Sequence, residues 1–147
     1  MSMRCVYGDV FASAADVLVI PVNCMGVAGC GLALQCKQKY PHWFETYREV
    51  CQAGFLVIGS PVFHVFPGRS FVSFPTKNDW RQPAFSDDVE AGLQSLWSID
   101  GPWYQPGRMI AFPKLGCGAG GLSWEEDIHP LMGYYLNALP CDAIVYL

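Results

Sequence analysis

Residues 16–31 read DVLVIPVNCMGVAGCG, an apolar run that breaks abruptly into a glycine-bearing loop. After Asp16 the run 16–22 holds no polar side chain, as expected of a strand buried on both faces. The loop from Asn23 to Gly31 follows, and residues 32–40 have helical composition. The same succession returns later. Residues 109–115 read as a strand, GCGAGG follows at 116–121, and residues 124–139 read as a helix. Pro130 must kink that helix or sit near its first turn.

Working outward, residues 4–7 form a short strand ended by Gly8-Asp9, and Pro41 separates a second helical piece, 42–52, from the first. Residues 61–66 and 71–75 read as strands around a Pro67-Gly68 turn. Residues 86–99 read as a helix capped by Ser86 or Asp87, and 143–147 as a final apolar strand. Strands alternating with helices imply an α/β layered fold with a mixed sheet. Ligands of open α/β sheets bind outside the carboxyl ends of the strands. Both glycine-rich loops therefore belong on one rim.

The 147 residues suit a single domain, and they show no repeat, low-complexity tract or linker. Charged residues make up 15%, against about a quarter in average proteins. That balance favours a well-covered core over disorder. No apolar run reaches the ~20 residues needed to span a bilayer, and residues 1–8 are too short and mixed for a signal peptide. The expectation is a cytoplasmic protein with no membrane partner. Seven cysteines without a CxxC pair argue against a disulfide framework and against structural zinc. They are expected to be mostly buried thiols, and no metal site is expected. The net charge of −4 argues against extensive duplex binding, which needs a basic surface. A small anion held by backbone N–H groups needs no net positive charge.

The first loop is neither a Walker A motif nor GxGxxG, and taken alone it is equally a turn that reverses the chain. Two such loops, each after a buried strand and before a helix, suggest a diphosphate clamped from two sides. Lys77 ends the strand FVSFPTK and would overhang the cleft, where a neutral amine is a nucleophile. A solvated loop lysine is the ordinary alternative, and Lys114 competes by the same logic. His42, His64 and His129 stand far apart and read as structural or exposed. Glu125, Glu126 and Asp127 suit the dipole at a helix start. Asp9 is either a turn residue or a carboxylate accepting an amino N–H from a base.

Four stretches, in order, resemble a macrodomain. They are GDV at 8–10, PVNCMGVAGCGLALQCKQKYP at 21–41, FPTKNDWR at 74–81 and FPKLGCGAGGLSW at 112–124. The third is the most specific and is similar to DarG-type antitoxins, which remove ADP-ribose from thymidine in DNA. The resemblance covers nearly the whole chain and implies one macrodomain over 1–147, three-layered α/β/α with a mixed central sheet.

By this resemblance Asp9 receives the adenine amino group, with the Val10 backbone beside it, and Asn23 lies near the distal ribose. Gly29, Cys30 and Gly31 form the first phosphate loop. Leu115, Gly116, Cys117, Gly118, Ala119, Gly120 and Gly121 form the second. Lys77 is the catalytic residue, and Tyr146 lies loosely near the adenine. Trp80 could stack on a nucleobase and Arg81 could pair with a phosphate. A related human class of enzymes carries an aspartate two residues after its GCG, where this chain has Gly120. DarG-type proteins also usually continue into a further domain.

The implied activity is hydrolysis of the N-glycosidic bond between ADP-ribose and thymidine in single-stranded DNA. ADP-ribose is ligand or product, and no cofactor is needed. The implied partners are ADP-ribosylated DNA and a cognate ADP-ribosyltransferase toxin, and the expected state is a monomer. Phosphatase action on ADP-ribose 1″-phosphate, and non-catalytic reading of ADP-ribose, are the competing activities.

Overall fold

The computed structural model describes residues 3–98 and 106–147. Six strands form one sheet: β1 (Met3–Val6), β2 (Val17–Asn23), β3 (Val62–His64), β4 (Ser70–Lys77), β5 (Met109–Pro113) and β6 (Asp142–Tyr146). Their order is β1-β6-β5-β2-β4-β3. All neighbours run parallel except β3, which lies antiparallel on the β4 edge. The helices are α1 (Gly31–Lys39), α2 (Pro41–Gln52), α3 (Ser86–Ser98) and α4 (His129–Leu136).

The apolar run of β2 behaves as its composition dictates. Val17 and Val19 enter one core with Phe74, Phe112 and residues of α3 and α4. Leu18, Ile20 and Val22 enter the other with Trp43 and Tyr47 of α2. Helices thus cover both faces, giving the three-layered α/β/α arrangement with a mixed sheet. The second core also satisfies its polar groups. Ser73 Oγ lies 2.7 Å from His64 Nε2 and accepts from Trp43 Nε1 at 3.2 Å.

β2 and β5 pair only at Val17–Ile110 and Leu18–Ala111, whereas β2 stays paired with β4 out to Lys77. Pro21, which has no N–H for a ladder, lies beyond the point where the β5 pairing ends. From β2 the chain goes on to β4 on one side, and from β5 to β6 on the other. This junction is the switch point at which such sheets bind ligands.

Several boundaries differ from the sequence expectation. β5 stops at Pro113, because Cys117 N donates to the Lys114 carbonyl and closes a turn. β3 ends at His64, where its antiparallel register with Phe71 ends. Ser86 and Asp87 lie in the first turn of α3 rather than at its cap, since Asp88 and Val89 donate to the Phe85 carbonyl. Ile99, expected as the last residue of that helix, lies outside the described residues.

The expected helix 124–139 divides into a π-helical turn, Trp124–Ile128, and α4. Pro130 sits in the first turn of α4, where its missing N–H costs nothing. Ser123 caps the π turn: Glu126 N donates to its hydroxyl, and its own N–H donates to Asp127. The cysteines are not mostly buried. Cys36 and Cys141 are, Cys24, Cys51 and Cys117 are half-buried, and Cys5 and Cys30 are exposed. Cys5 lies on an edge strand, while Cys24, Cys30 and Cys117 belong to the rim loops. Among the described residues no helix is long and apolar enough to cross a membrane.

Candidate functional site

Two adjoining chambers open at the carboxyl rim, between the segments that leave β2, β4 and β5. The larger holds about 550 Å³ and the smaller about 380 Å³. Leu32, Gln35, Lys114 and Gly118 line both, so these residues mark where one chamber passes into the other.

The first loop and α1 form one wall of the larger chamber. Gly29, Cys30 and Gly31 line it, followed by Leu32 and Ala33. Gly31 has φ +60°, a left-handed conformation that disfavours any side chain. Cys30 caps α1 without a side-chain hydrogen bond. The first-turn N–H groups of α1 therefore meet the cleft without a capping acceptor, and a helix start of this kind favours an anion.

The second loop forms the opposing wall, with Gly116, Gly118, Ala119 and Gly120 in the larger chamber and Cys117 in the smaller. A β-carbon at Gly120 would stand 2.5 Å from the Gly116 carbonyl oxygen and 2.8 Å from Ala84 Cβ. Both neighbours are rigid, so the loop is folded too tightly for an aspartate here. Leu115 is buried in the core, and Gly121 lines neither chamber.

Asn23 and Lys77 meet on the rim through an irregularity of register. Val22 pairs with Pro75, but Asn23 pairs with Lys77, so the β4 strand carries one extra residue, Thr76. A bulge of this kind re-aims the side chains beyond it. It sets Lys77 abreast of Asn23, and both line the larger chamber. Asn23 is buried and locked. Its Oδ1 accepts from Met25 N at 3.0 Å and from the Tyr47 hydroxyl at 3.0 Å, and its Nδ2 donates to the Val27 carbonyl at 2.8 Å.

Asp9, Val10 and Tyr146 line the smaller chamber. Asp9 is also a turn residue, since its Oδ1 accepts from Phe11 N at 2.9 Å. Trp80 lines the larger chamber while 52% exposed. Arg81 lines neither chamber. Its guanidinium forks onto Asp79 at 2.6 and 2.9 Å and lies 5.5 Å from the Trp80 ring centre. These bonds hold the Asp79 carboxyl down at about 2. The charge of Arg81 is thus already engaged by Asp79. His64 is buried against Ser73, while His42 and His129 make ring contacts with Phe66 and Trp124.

Sequence reasoning missed Gln35, Leu32 and Thr76. Gln35 follows Gly31 by four residues, so the helical period puts it above the loop. Thr76 enters only through the bulge, which has no evident signal in the sequence.

No family model matches the chain. Individual relatives do. The DNA ADP-ribosyl glycohydrolase of Mycobacterium tuberculosis is 35% identical over 144 residues, 95% of this chain and 40% of that protein. The protein of the same name from Thermus aquaticus is 37% identical over 129 residues, 84% of this chain and 35% of that one. Among solved structures, the macrodomain of Thermus aquaticus DarG superposes with a TM-score of 0.86 at 33% identity. It is matched over 97% of its own length and 99% of this chain. The chain belongs to the DarG-type macrodomains.

The macrodomain of Mycobacterium tuberculosis DarG agrees, with a TM-score of 0.83 at 33% identity over 98% of this chain and 96% of that one. This macrodomain spans about two-fifths of the length of the first curated relatives it matches. Thermosipho africanus DarTG, solved in complex with ADP-ribose, matches with a TM-score of 0.85 at 28% identity, over 99% of this chain and 42% of that one.

Proposed function

We propose that the cleft binds ADP-ribose and that the chain hydrolyses the bond joining its distal ribose to thymidine in single-stranded DNA. The observation that carries this reading is Lys77 brought abreast of Asn23 inside a chamber walled by two glycine-rich loops. The adenine lies in the smaller chamber against Asp9, Val10 and Tyr146. The diphosphate crosses the wall shared by Leu32, Gln35, Lys114 and Gly118. The distal ribose lies beside Asn23. The loops hold the diphosphate by backbone N–H groups, so positioning and electrostatic stabilisation of the sugar cation supply most of the rate.

In the reaction the C1″–N bond breaks, water oxygen ends on C1″, and a proton ends on the leaving base. Lys77 acts in one of two ways. As a neutral amine it attacks C1″ and is then displaced by water; as an ammonium it donates the proton to the base. Trp80, exposed at the mouth, is placed to stack on a base. Arg81 reaches a phosphate only by giving up its fork to Asp79. Both chambers are built by one chain, which supports action as a monomer, and the setting is cytoplasmic. A relative in Thermosipho africanus is a fusion of a DNA ADP-ribosyl transferase with a DNA ADP-ribosyl glycohydrolase. That supports an ADP-ribosyltransferase toxin as the partner.

The test is incubation with single-stranded DNA carrying ADP-ribosylated thymidine, with released ADP-ribose followed. Release supports the reading. If the protein binds ADP-ribose but releases none, the reading fails. Phosphate release from ADP-ribose 1″-phosphate would then show a phosphatase, and no turnover on either substrate a reader.

A further inference from the structure

Tyr47 is fully buried in α2, stacked on Trp43 with ring centres 5.1 Å apart and planes 2° from parallel. Its hydroxyl lies under the cleft floor. Its one hydrogen is shared between two oxygens of Asn23, the backbone carbonyl at 2.8 Å and Oδ1 at 3.0 Å. Burial pushes the Tyr47 phenol well up, so it stays protonated and remains a donor.

This arrangement fixes which way round the Asn23 amide sits. Oδ1 is turned to protein donors, namely Tyr47, Met25 N and, at 3.4 Å, Val27 N. Nδ2 uses one hydrogen on the Val27 carbonyl. An amide nitrogen carries two hydrogens. The second remains for whatever enters the chamber that Asn23 lines. A flipped amide would set its NH2 against two backbone N–H groups. The site therefore offers a donor, not an acceptor, beside Lys77, which suits a lone pair of a sugar hydroxyl.

We propose that Tyr47 is a positioning residue for the distal ribose: through Asn23 it fixes an amide N–H aimed at a ribose hydroxyl oxygen beside Lys77. The inference rests on the ADP-ribose reading of the cleft. Tyr47 touches no ligand itself. Its substitution acts only by letting Asn23 turn or shift.

The test is a double-mutant cycle with Tyr47→Phe and Asn23→Ala, reading kcat and KM for ADP-ribose release from ADP-ribosylated oligonucleotide, with Tm as a check on folding. Tyr47→Phe keeps the ring stack and removes one oxygen. In the parent it should lower kcat by about tenfold, the worth of one well-placed hydrogen bond. In the Asn23→Ala background it should change kcat less than twofold, because the group it acts through is gone. An equal loss in both backgrounds, or no loss in the parent, overturns the proposal.

If the parent binds ADP-ribose but cleaves nothing, the glycohydrolase reading has failed, and the same cycle run on ADP-ribose dissociation constants still decides the role of Tyr47. If Tyr47→Phe does not fold, NMR of the unmodified protein decides it. The Tyr47 hydroxyl proton should exchange slowly and show an NOE to Asn23, and adding ADP-ribose should move the Asn23 amide proton that is not on the Val27 carbonyl. A freely exchanging Tyr47 hydroxyl, or Asn23 amide protons that both ignore ADP-ribose, contradicts it.

Discussion

Lys77 is legible as a candidate because it ends an apolar strand, and Asn23 only through the macrodomain resemblance. Their adjacency was not readable, since a residue's neighbour across a sheet depends on register. His64 was open between structural and exposed in the sequence. In the fold it lies 2.7 Å from Ser73 inside the core, and burial lowers its pKa from 6.5 to about 4. The consequence for stability has a definite sign. Above pH 6.5 the ring is neutral in both folded and unfolded chains and contributes no pH dependence. Below that the unfolded chain takes up a proton that the folded chain refuses until about pH 4. Stability therefore falls as the pH falls through that window, by up to about 3 kcal/mol from this group. Urea unfolding across the window should show a shallower decline for His64→Gln than for the parent. Equal slopes would mean that His64 charges freely in the folded protein.

The strands were legible in their centres and less so at their ends, because apolar composition marks burial while hydrogen bonding sets boundaries. β5 illustrates this: Leu115 is as buried as a strand residue, yet it lies inside the turn that Lys114 and Cys117 close. The bulge at Thr76 was hidden for the same reason. Packing of α3 against β4 is decided by Gly92, where a β-carbon would stand 2.4 Å from Phe74 Cζ. Phe74 is fully buried, so its ring can yield only by disturbing the core around it. In an exposed helix Gly→Ala stabilises by about 1 kcal/mol. At this contact the overpacking cost of about 1–3 kcal/mol is larger. Gly92→Ala should therefore lower stability measured by urea unfolding. A rise would show that α3 can lift off the sheet without loss.

At the scale of the whole molecule, the fold class followed from the alternation of elements, and the shared rim followed from the two glycine-rich loops. The division of the cleft into two chambers did not. It arises where the β2–β5 ladder ends after Leu18 and the chain continues to opposite sides. A ligand that fills both chambers ties α1, the second loop and the end of β6 together. ADP-ribose at a hundred times its dissociation constant should add about 2.7 kcal/mol to stability. For a domain of this size that raises Tm by roughly 5–10 °C. If the adenine lies in the smaller chamber as proposed, adenosine should give a smaller rise at the same concentration. Equal shifts in differential scanning calorimetry would mean that the larger chamber takes no part in binding.

In the proposed mechanism Lys77 performs chemistry in a cleft whose binding is done by other residues. Lys77→Ala tests it most directly, with ADP-ribose affinity measured by calorimetry and release from ADP-ribosylated single-stranded DNA measured in single turnover. Release should fall by at least about a hundredfold, the low end for loss of a catalytic acid or base. The dissociation constant for ADP-ribose should stay within about threefold, a shift of under 1 kcal/mol. Release that persists at the parent's rate in Lys77→Ala would contradict it.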